Sequence, residues 1–167
     1  MNNNIEVYAN ITGFSKYQVS TFGNVKNVKT GRILKPGLSV GYFMVNLRID
    51  GETSSKKIHS LVASAFLENT ENKKCVDHVD RDKLNNHISN LRWATNIENS
   101  QNASIRSDNT SGVKGVWVKR DSKWIAEIRI NGVKKHLGTF SNKDDAITAR
   151  SNAEIQYFKD FRAIIPV

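Results

Sequence analysis

Apolar and polar positions alternate with a period of two through most of the first 57 residues, the pattern of half-buried strands. Lys16-Tyr17-Gln18-Val19-Ser20-Thr21-Phe22, Val25 to Val28 and Arg32-Ile33-Leu34 form short runs separated by turns at Gly23-Asn24 and Thr30-Gly31. Gly41 to Ile49 is a longer β-branched and aromatic run. Asp50-Gly51 then signals a type I′ hairpin into a return strand ending at Lys57. The period changes at Ile58. Ile58, Leu61, Val62, Ala65 and Phe66 fall on one face of a helix, and a polar connector from Glu68 to Lys74 follows. Cys75 to His78 and Leu91 to Trp93 read as two strands joined by a polar loop. Thr95-Asn96-Ile97-Glu98 spells a T-x-x-E capping box opening a helix. Beyond a polar, aperiodic stretch from Ala103 to Gly112, the pattern predicts strands at 116–119, 124–130 and 134–140. Asn131-Gly132 forms the second turn, and a helix over 142–158 is capped at Ser141-x-x-Asp144.

The fold class this predicts is α+β and modular. A β-rich N-terminal arm spans 1–57, a ββα centre with a supporting helix 58–102 and a linker 103–112; a three-stranded antiparallel sheet plus helix spans 113–167. Ala146, Ala149 and Ala153 form a small-residue stripe that lets the last helix lie close on its sheet. Trp124 is expected in that core.

Charge narrows the function. The 167 residues carry a net +9, unevenly distributed. Residues 1–70 hold eight Lys and Arg against four acids, 71–110 hold six of each, and 113–167 hold eleven against six. Basic flanks around a neutral centre suit a polyanionic partner, because lysine and arginine release the counterions condensed on nucleic acid. No apolar run has the length of a membrane span and no secretory signal opens the polar Met1-Asn2-Asn3-Asn4, so the expected location is the cytoplasm, of a host cell if the gene is carried by a phage. The lone Cys75 excludes an intramolecular disulfide and a multi-cysteine zinc knuckle.

The neutral centre holds the candidate chemistry. Hydrolysis of a phosphodiester needs a metal held by oxygen ligands and a base for the attacking water. Asp77 and an asparagine such as Asn99 offer hard oxygens suited to Mg²⁺ or Mn²⁺, and His78 titrates near neutrality. Read one at a time, the bland roles win: a surface pair, a turn at Asn85-Asn86, a loop brace at Asn90. Spaced together before a capped helix, these residues read as a catalytic constellation, with His87 and Asn96 as rivals for a place in it.

Cys75-Val76-Asp77-His78, with Asn90 twelve residues after His78 and Asn99 twenty-two after Asp77, resembles the HNH motif of phage- and intron-encoded homing endonucleases. The resemblance implies a ββα-metal nuclease site with His78 as general base, Asp77 and Asn99 as metal ligands, and Asn90 steadying the loop. Many members have histidine at the last position. Asparagine there is similar to a subgroup of phage nicking enzymes and favours Mg²⁺ or Mn²⁺ over zinc. Gly13-Phe14, Tyr17, Val19-Ser20, Gly23 and Val25 resemble the module preceding such sites, which in that family is an extended sheet lying along DNA. Lys26, Lys29, Arg32, Lys35, Arg48, Lys56 and Lys57 are its candidate DNA contacts, with Arg92 and Lys83 near the pocket.

G-V-W-V, K-W-I-A-E-I-R and H-L-G-T-F resemble the strands of the AP2 DNA-binding domain, known from plant transcription factors and found attached to HNH nucleases. By motif position Lys114, Trp117, Lys119, Arg129, Lys134 and His136 inherit its DNA contacts, and Lys123 lies on the same expected face. Lysine at several family arginine positions removes the planar fork that reads guanine, so weaker sequence specificity is expected.

The expected activity is a metal-dependent, site-directed endonuclease acting on double-stranded DNA. With one site per chain, a monomer on DNA would nick one strand. A non-catalytic DNA-binding regulator retaining the fold is the alternative, and an RNA-directed protein is a third class.

Overall fold

The computed structural model describes residues 5–161 apart from 104 and 106. Met1 to Asn4 and two positions of the expected linker, Ser104 and Arg106, lie outside the described residues. The chain divides into two compact units, Met1–Thr95 and Asn96–Val167.

In the first unit, β1 (Tyr8–Asn10), β2 (Tyr17–Ser20) and β3 (Val25–Asn27) form an antiparallel sheet in chain order. A second sheet contains β4 (Gly37–Ser39), β5 (Tyr42–Ile49) and β6 (Glu52–Lys57). Helix α1 (Ile58–Phe66) follows without a break. The ribbon of β7 (Cys75–His78) and β8 (Leu91–Ala94) completes the unit, with a 3₁₀ turn at Ile88–Asn90 between its strands. The second sheet turns at Asp50 (φ 49°) and Gly51 (φ 86°), the positive pair that Asp-Gly favours. Strands β1 and β4 have no strong alternation, and partners in the sheets define them. Arg32-Ile33-Leu34 makes only one isolated bridge, Lys26 to Ile33, instead of the expected strand.

Helix α1 has no side-chain N-cap, no acid in its first turn and no base in its last. Burial therefore carries it. Ile58, Leu61 and Val62 join Val19 and Val25 from the first sheet, Val45 and Leu47 from the second, and Leu91 from the ribbon in one core. Fully burying an aliphatic side chain contributes about 1.5–3 kcal/mol, so these contacts join the expected arm and the expected centre into one body. No core boundary falls at Lys57.

The second unit begins with α2 (Asn96–Asn102), directly after the Thr95 of the T-x-x-E sequence. Its sheet has the order β11-β10-β9, from β9 (Val116–Val118), β10 (Trp124–Ile130) and β11 (Val133–Phe140), and α3 (Lys143–Phe158) covers one face. Ala146 and Ala153 are buried in this packing, with Val116, Ala126, Ile128 and Phe158, and Trp124 lies partly buried against it. The N-cap is Asn142, one residue later than expected, because its side chain accepts from the Asp145 N–H at 2.8 Å and donates to the Asp145 carboxylate at 2.7 Å. No helix among the described residues is long and apolar enough to cross a membrane.

Candidate active site

The β7–β8 ribbon sets the site. Its register places Asp77 opposite Arg92 and His78 opposite Leu91, and strand pleating sends neighbouring side chains to opposite sides. Asp77 is buried. Its Oδ2 accepts from Arg92 Nε at 2.8 Å and pairs with Nη2 at 2.7 Å. Arg92, expected as a DNA clamp, thus orients the candidate metal ligand from the facing strand.

His78 is buried among polar and aromatic groups. Its Nε2 lies 3.4 Å from Asn86 Oδ1, its ring meets His59 edge-on at 4.9 Å between centroids, and Tyr42 stands 6.1 Å away. Tyr42 also packs on His59 at 5.0 Å. With the Asn86 oxygen as acceptor, Nε2 carries the proton and Nδ1 keeps the basic lone pair. Burial holds the His78 imidazole below the usual histidine range; the Asn86 bond and the nearby Asp80, Asp77 and Asp82 charges pull the other way. The net direction is downward, which favours the neutral ring that a general base needs. His59 is pushed down to about 4 by burial, then by His78 and Lys57.

The loop between the strands is braced by Asn90. Its amide oxygen accepts from the Asp80 N–H at 3.0 Å, its amide nitrogen donates to the Asn85 carbonyl at 2.8 Å, and its own carbonyl accepts from Val79. Burial works against the charge on Asp80, but hydrogen bonds from Asn85, the Asp82 N–H and Asn90 outweigh it and hold its pKa low. Asn86 is fixed by a bond to the Leu84 carbonyl and by Gly23, where an added Cβ would come within 2.9 Å of the Asn86 Cβ. His87 caps the 3₁₀ turn, its Nδ1 accepting from the Ser89 N–H, and stacks on Phe22. That role takes it out of the pocket. Asn96 is exposed at the start of α2.

The structure therefore gathers Asn86, Tyr42 and His59, which the sequence reading did not assign to the site, around His78; Asp77 adjoins it on β7 with its carboxylate held by Arg92, and Asn90 braces the loop. Asn86 had been read as half of an Asn-Asn turn, and Tyr42 lies 36 residues upstream of His78 in the chain. Asn99, half-buried, is carried by α2 in the second unit. Among the described residues no group of three or more His, Cys, Asp and Glu is arranged to hold a metal. The donors available are one carboxylate and amide oxygens, hard ligands that fit a hydrated Mg²⁺ or Mn²⁺ rather than zinc.

The candidate DNA contacts have mixed fates. Arg32, Lys35 and Arg48 are exposed, and Lys57 is exposed with its ammonium 4.6 Å from the Tyr42 ring centroid. Lys26 covers Tyr8 and Lys56 covers Phe14. In the second unit Lys119, Arg129, Lys134 and His136 are exposed, and Trp117 is partly so. Arg129 pairs with Lys134, and Glu127 with His136, across β10 and β11. Glu127 sits between the expected contacts: it pairs with Lys134 at 2.5 Å and lies 4.0 Å from His136 Nδ1. Lys114 departs from the expectation, being half-buried with Nζ donating to the Ser100 carbonyl at 2.7 Å.

Comparison with known proteins agrees with this geometry. Residues 6–48 match the NUMOD4 motif and residues 56–101 match the HNH endonuclease model. An uncharacterized HNH endonuclease of Acanthamoeba polyphaga mimivirus is 51% identical over 96 residues, 56% of this chain and 24% of that protein. A second from the same virus is 32% identical over 80% of this chain and 37% of its own length, so the chain spans well under half of these viral relatives. DNA endonuclease I-HmuI of Bacillus phage SP01 is 36% identical over 121 residues, 71% of this chain and 70% of that one. A solved structure described as DNA binding and cleavage by the HNH homing endonuclease I-HmuI superposes with a TM-score of 0.53 at 30% identity, covering 89% and 88% of the two chains. These matches do not reach an AP2 assignment for the second unit. With the HNH model lying on the ribbon that holds Asp77, His78 and Asn90, this chain belongs to the HNH endonuclease family.

Proposed function

We propose that the chain is a divalent-metal-dependent, site-directed DNA endonuclease of the homing type that hydrolyses one phosphodiester bond per binding event and so nicks one strand. The observation that carries this reading is the buried His78, steadied by Asn86, His59 and Tyr42 and adjacent in sequence to a carboxylate fixed by Arg92.

His78 Nδ1 takes a proton from the attacking water while Asn86 keeps the ring in the required tautomer. Asn90 holds the loop carrying Asn86. Asp77 and Asn99 would hold one Mg²⁺ or Mn²⁺, and a bound ion supplies charge stabilisation at the scissile phosphate and the leaving 3′ oxygen. Arg92 keeps the Asp77 carboxylate in one orientation. The exposed Arg32, Lys35, Arg48 and Lys57, with the half-buried Lys26 and Lys56, provide phosphate contacts in the first unit. In the second, the outer sheet face with Trp117, Lys119, Arg129, Lys134 and His136 reads double-stranded DNA in the AP2-like manner. Glu127 sets the positions of Lys134 and His136 there, and a monomer suffices.

The test is incubation of supercoiled plasmids carrying fragments of the source genome with the protein in Mg²⁺, Mn²⁺ or EDTA. Metal-dependent open circles are expected. Tight binding to the same DNA without nicking in either metal would instead support a DNA-binding regulator with an idle centre.

A further inference from the structure

Three two-residue hairpin turns among the described residues share one backbone geometry. In each a residue at φ 49° precedes a glycine at positive φ: Val40-Gly41, Asp50-Gly51 and Asn131-Gly132. Asp and Asn are the residues such turns select, because their short polar side chains tolerate the left-handed region. Valine does not. A β-branched residue at positive φ is a steric outlier, and Val40 is the most exposed large hydrophobic among the described residues, 89% accessible. Leu38, two residues earlier on β4, is 65% accessible. The β4–β5 hairpin thus holds a strained turn whose outcome is two apolar side chains in water, and neither contributes to the core.

The surroundings of the tip indicate what it meets. Tyr42, the first residue of β5, is the one that packs on His59 and lies 6.1 Å from His78. The ammonium groups of Lys57 and Lys83 stand 4.6 and 4.9 Å from its ring centroid. On the other side of the hairpin, Leu38 and Ser39 line a cleft of about 830 Å³ with Arg32 and Lys35. An apolar tip rimmed by four cations complements a nucleic acid: the cations take phosphates, and the tip is left to the sugar and base surfaces of a groove. Two residues span at most about 7 Å of chain, and base pairs rise about 3.4 Å. With a phosphate at His78, the tip therefore falls within about four base pairs of it.

We propose that Leu38 and Val40 form an apolar wedge that enters a groove of the bound duplex beside the scissile phosphate and partly unstacks a base step there. This rests on the DNA-cleaving reading and adds the element that deforms the substrate. Unstacking widens access to the scissile phosphate, and insertion requires side chains that aspartate or asparagine at the turn would not supply.

The test uses the full chain with His78→Ala, so that no nick relaxes the DNA. Closed circular plasmid is relaxed by a metal-independent topoisomerase in EDTA with increasing protein, and the linking number is read after deproteinisation. Binding to the same plasmid DNA is measured in parallel. A shift in linking number is expected from the parent. Leu38→Ser with Val40→Asn should abolish that shift while affinity changes by less than about threefold, since no cation is removed. Val40→Asn alone should raise the melting temperature by a few degrees, because it relieves the strained turn. Binding without any shift by the parent, or an undiminished shift from the double variant, would overturn the wedge and leave the nuclease reading standing. Failure of the parent to bind DNA would overturn both.

Discussion

The two units bury polar groups in different ways. In the second, Arg150 is buried and paired: Nε and Nη2 each meet Glu154 Oε1 at 2.8 Å, and Nη1 donates to the Glu127 carbonyl. It ties α3 to β10. In the first, His59, His78 and Asn86 are buried together, with ring contacts between the histidines. The His78–Asn86 contact is 3.4 Å long, and His59 Nδ1 has no hydrogen-bond partner. A buried ion pair between neighbouring helix turns fastens a fold, whereas buried titratable rings gathered beside a carboxylate mark a site kept for chemistry.

Substitutions should separate the two kinds of burial. His78→Ala is expected to lower nicking about 10²- to 10⁴-fold with little change in DNA affinity or melting temperature. Arg150→Ala should do the reverse. Leaving the half-buried Glu154 without its cation and a cavity where the buried arginine stood should destabilise the second unit by about 3 kcal/mol, read as an earlier urea midpoint of the Trp117 and Trp124 fluorescence. An Arg150→Ala protein as stable as wild type would break the comparison.

Asn86 sharpens it. Asn86→Ala removes the acceptor of the His78 Nε2 proton and should slow nicking about tenfold, in keeping with about 1–3 kcal/mol for an unsatisfied buried donor. Asn86→Asp restores the acceptor and adds a negative charge beside the imidazole. Its pH–rate profile should therefore rise at a higher pH than that of wild type. A group serving only the loop fold would not move that limb.

The smallest effect concerns pH and stability. His59 and His78 are both held below the ordinary value of 6.5, His59 at about 4, chiefly by burial. Unfolding lets them take up protons, so the unfolded state gains as acid is added. Stability should be constant above about pH 6.5 and decline as pH falls from there toward 4. His59→Phe, which keeps an aromatic ring against Tyr42 and His78, should flatten that decline in urea midpoints measured across the range.

Much of the fold was legible because it is local. Helix α1 occupies the residues its periodicity marks, β7 runs from Cys75 to His78, and Asp50-Gly51 and Asn131-Gly132 turn the chain as their residue types require. Strands β1 and β4 were not legible, since three residues with little alternation become a strand only through a partner. The same distinction holds at the site. Asp77, His78 and Asn90 are marked by spacing. Asn86 was hidden in an apparent turn, and Tyr42 and His59 reach His78 only through packing of the second sheet and α1. Nothing in the sequence pattern singled out Arg150. The Glu127 carbonyl that engages it lies 23 residues upstream.

The most direct test is a single-turnover comparison of wild type and His78→Ala on the same prebound supercoiled plasmid, with nicking started by adding Mg²⁺ or Mn²⁺. Prebinding removes affinity from the result. The account predicts open circles from wild type and a rate at least about 10²-fold lower from His78→Ala at equal occupancy. Equal rates from the two proteins, or wild type that stays bound without nicking in either metal, would contradict it.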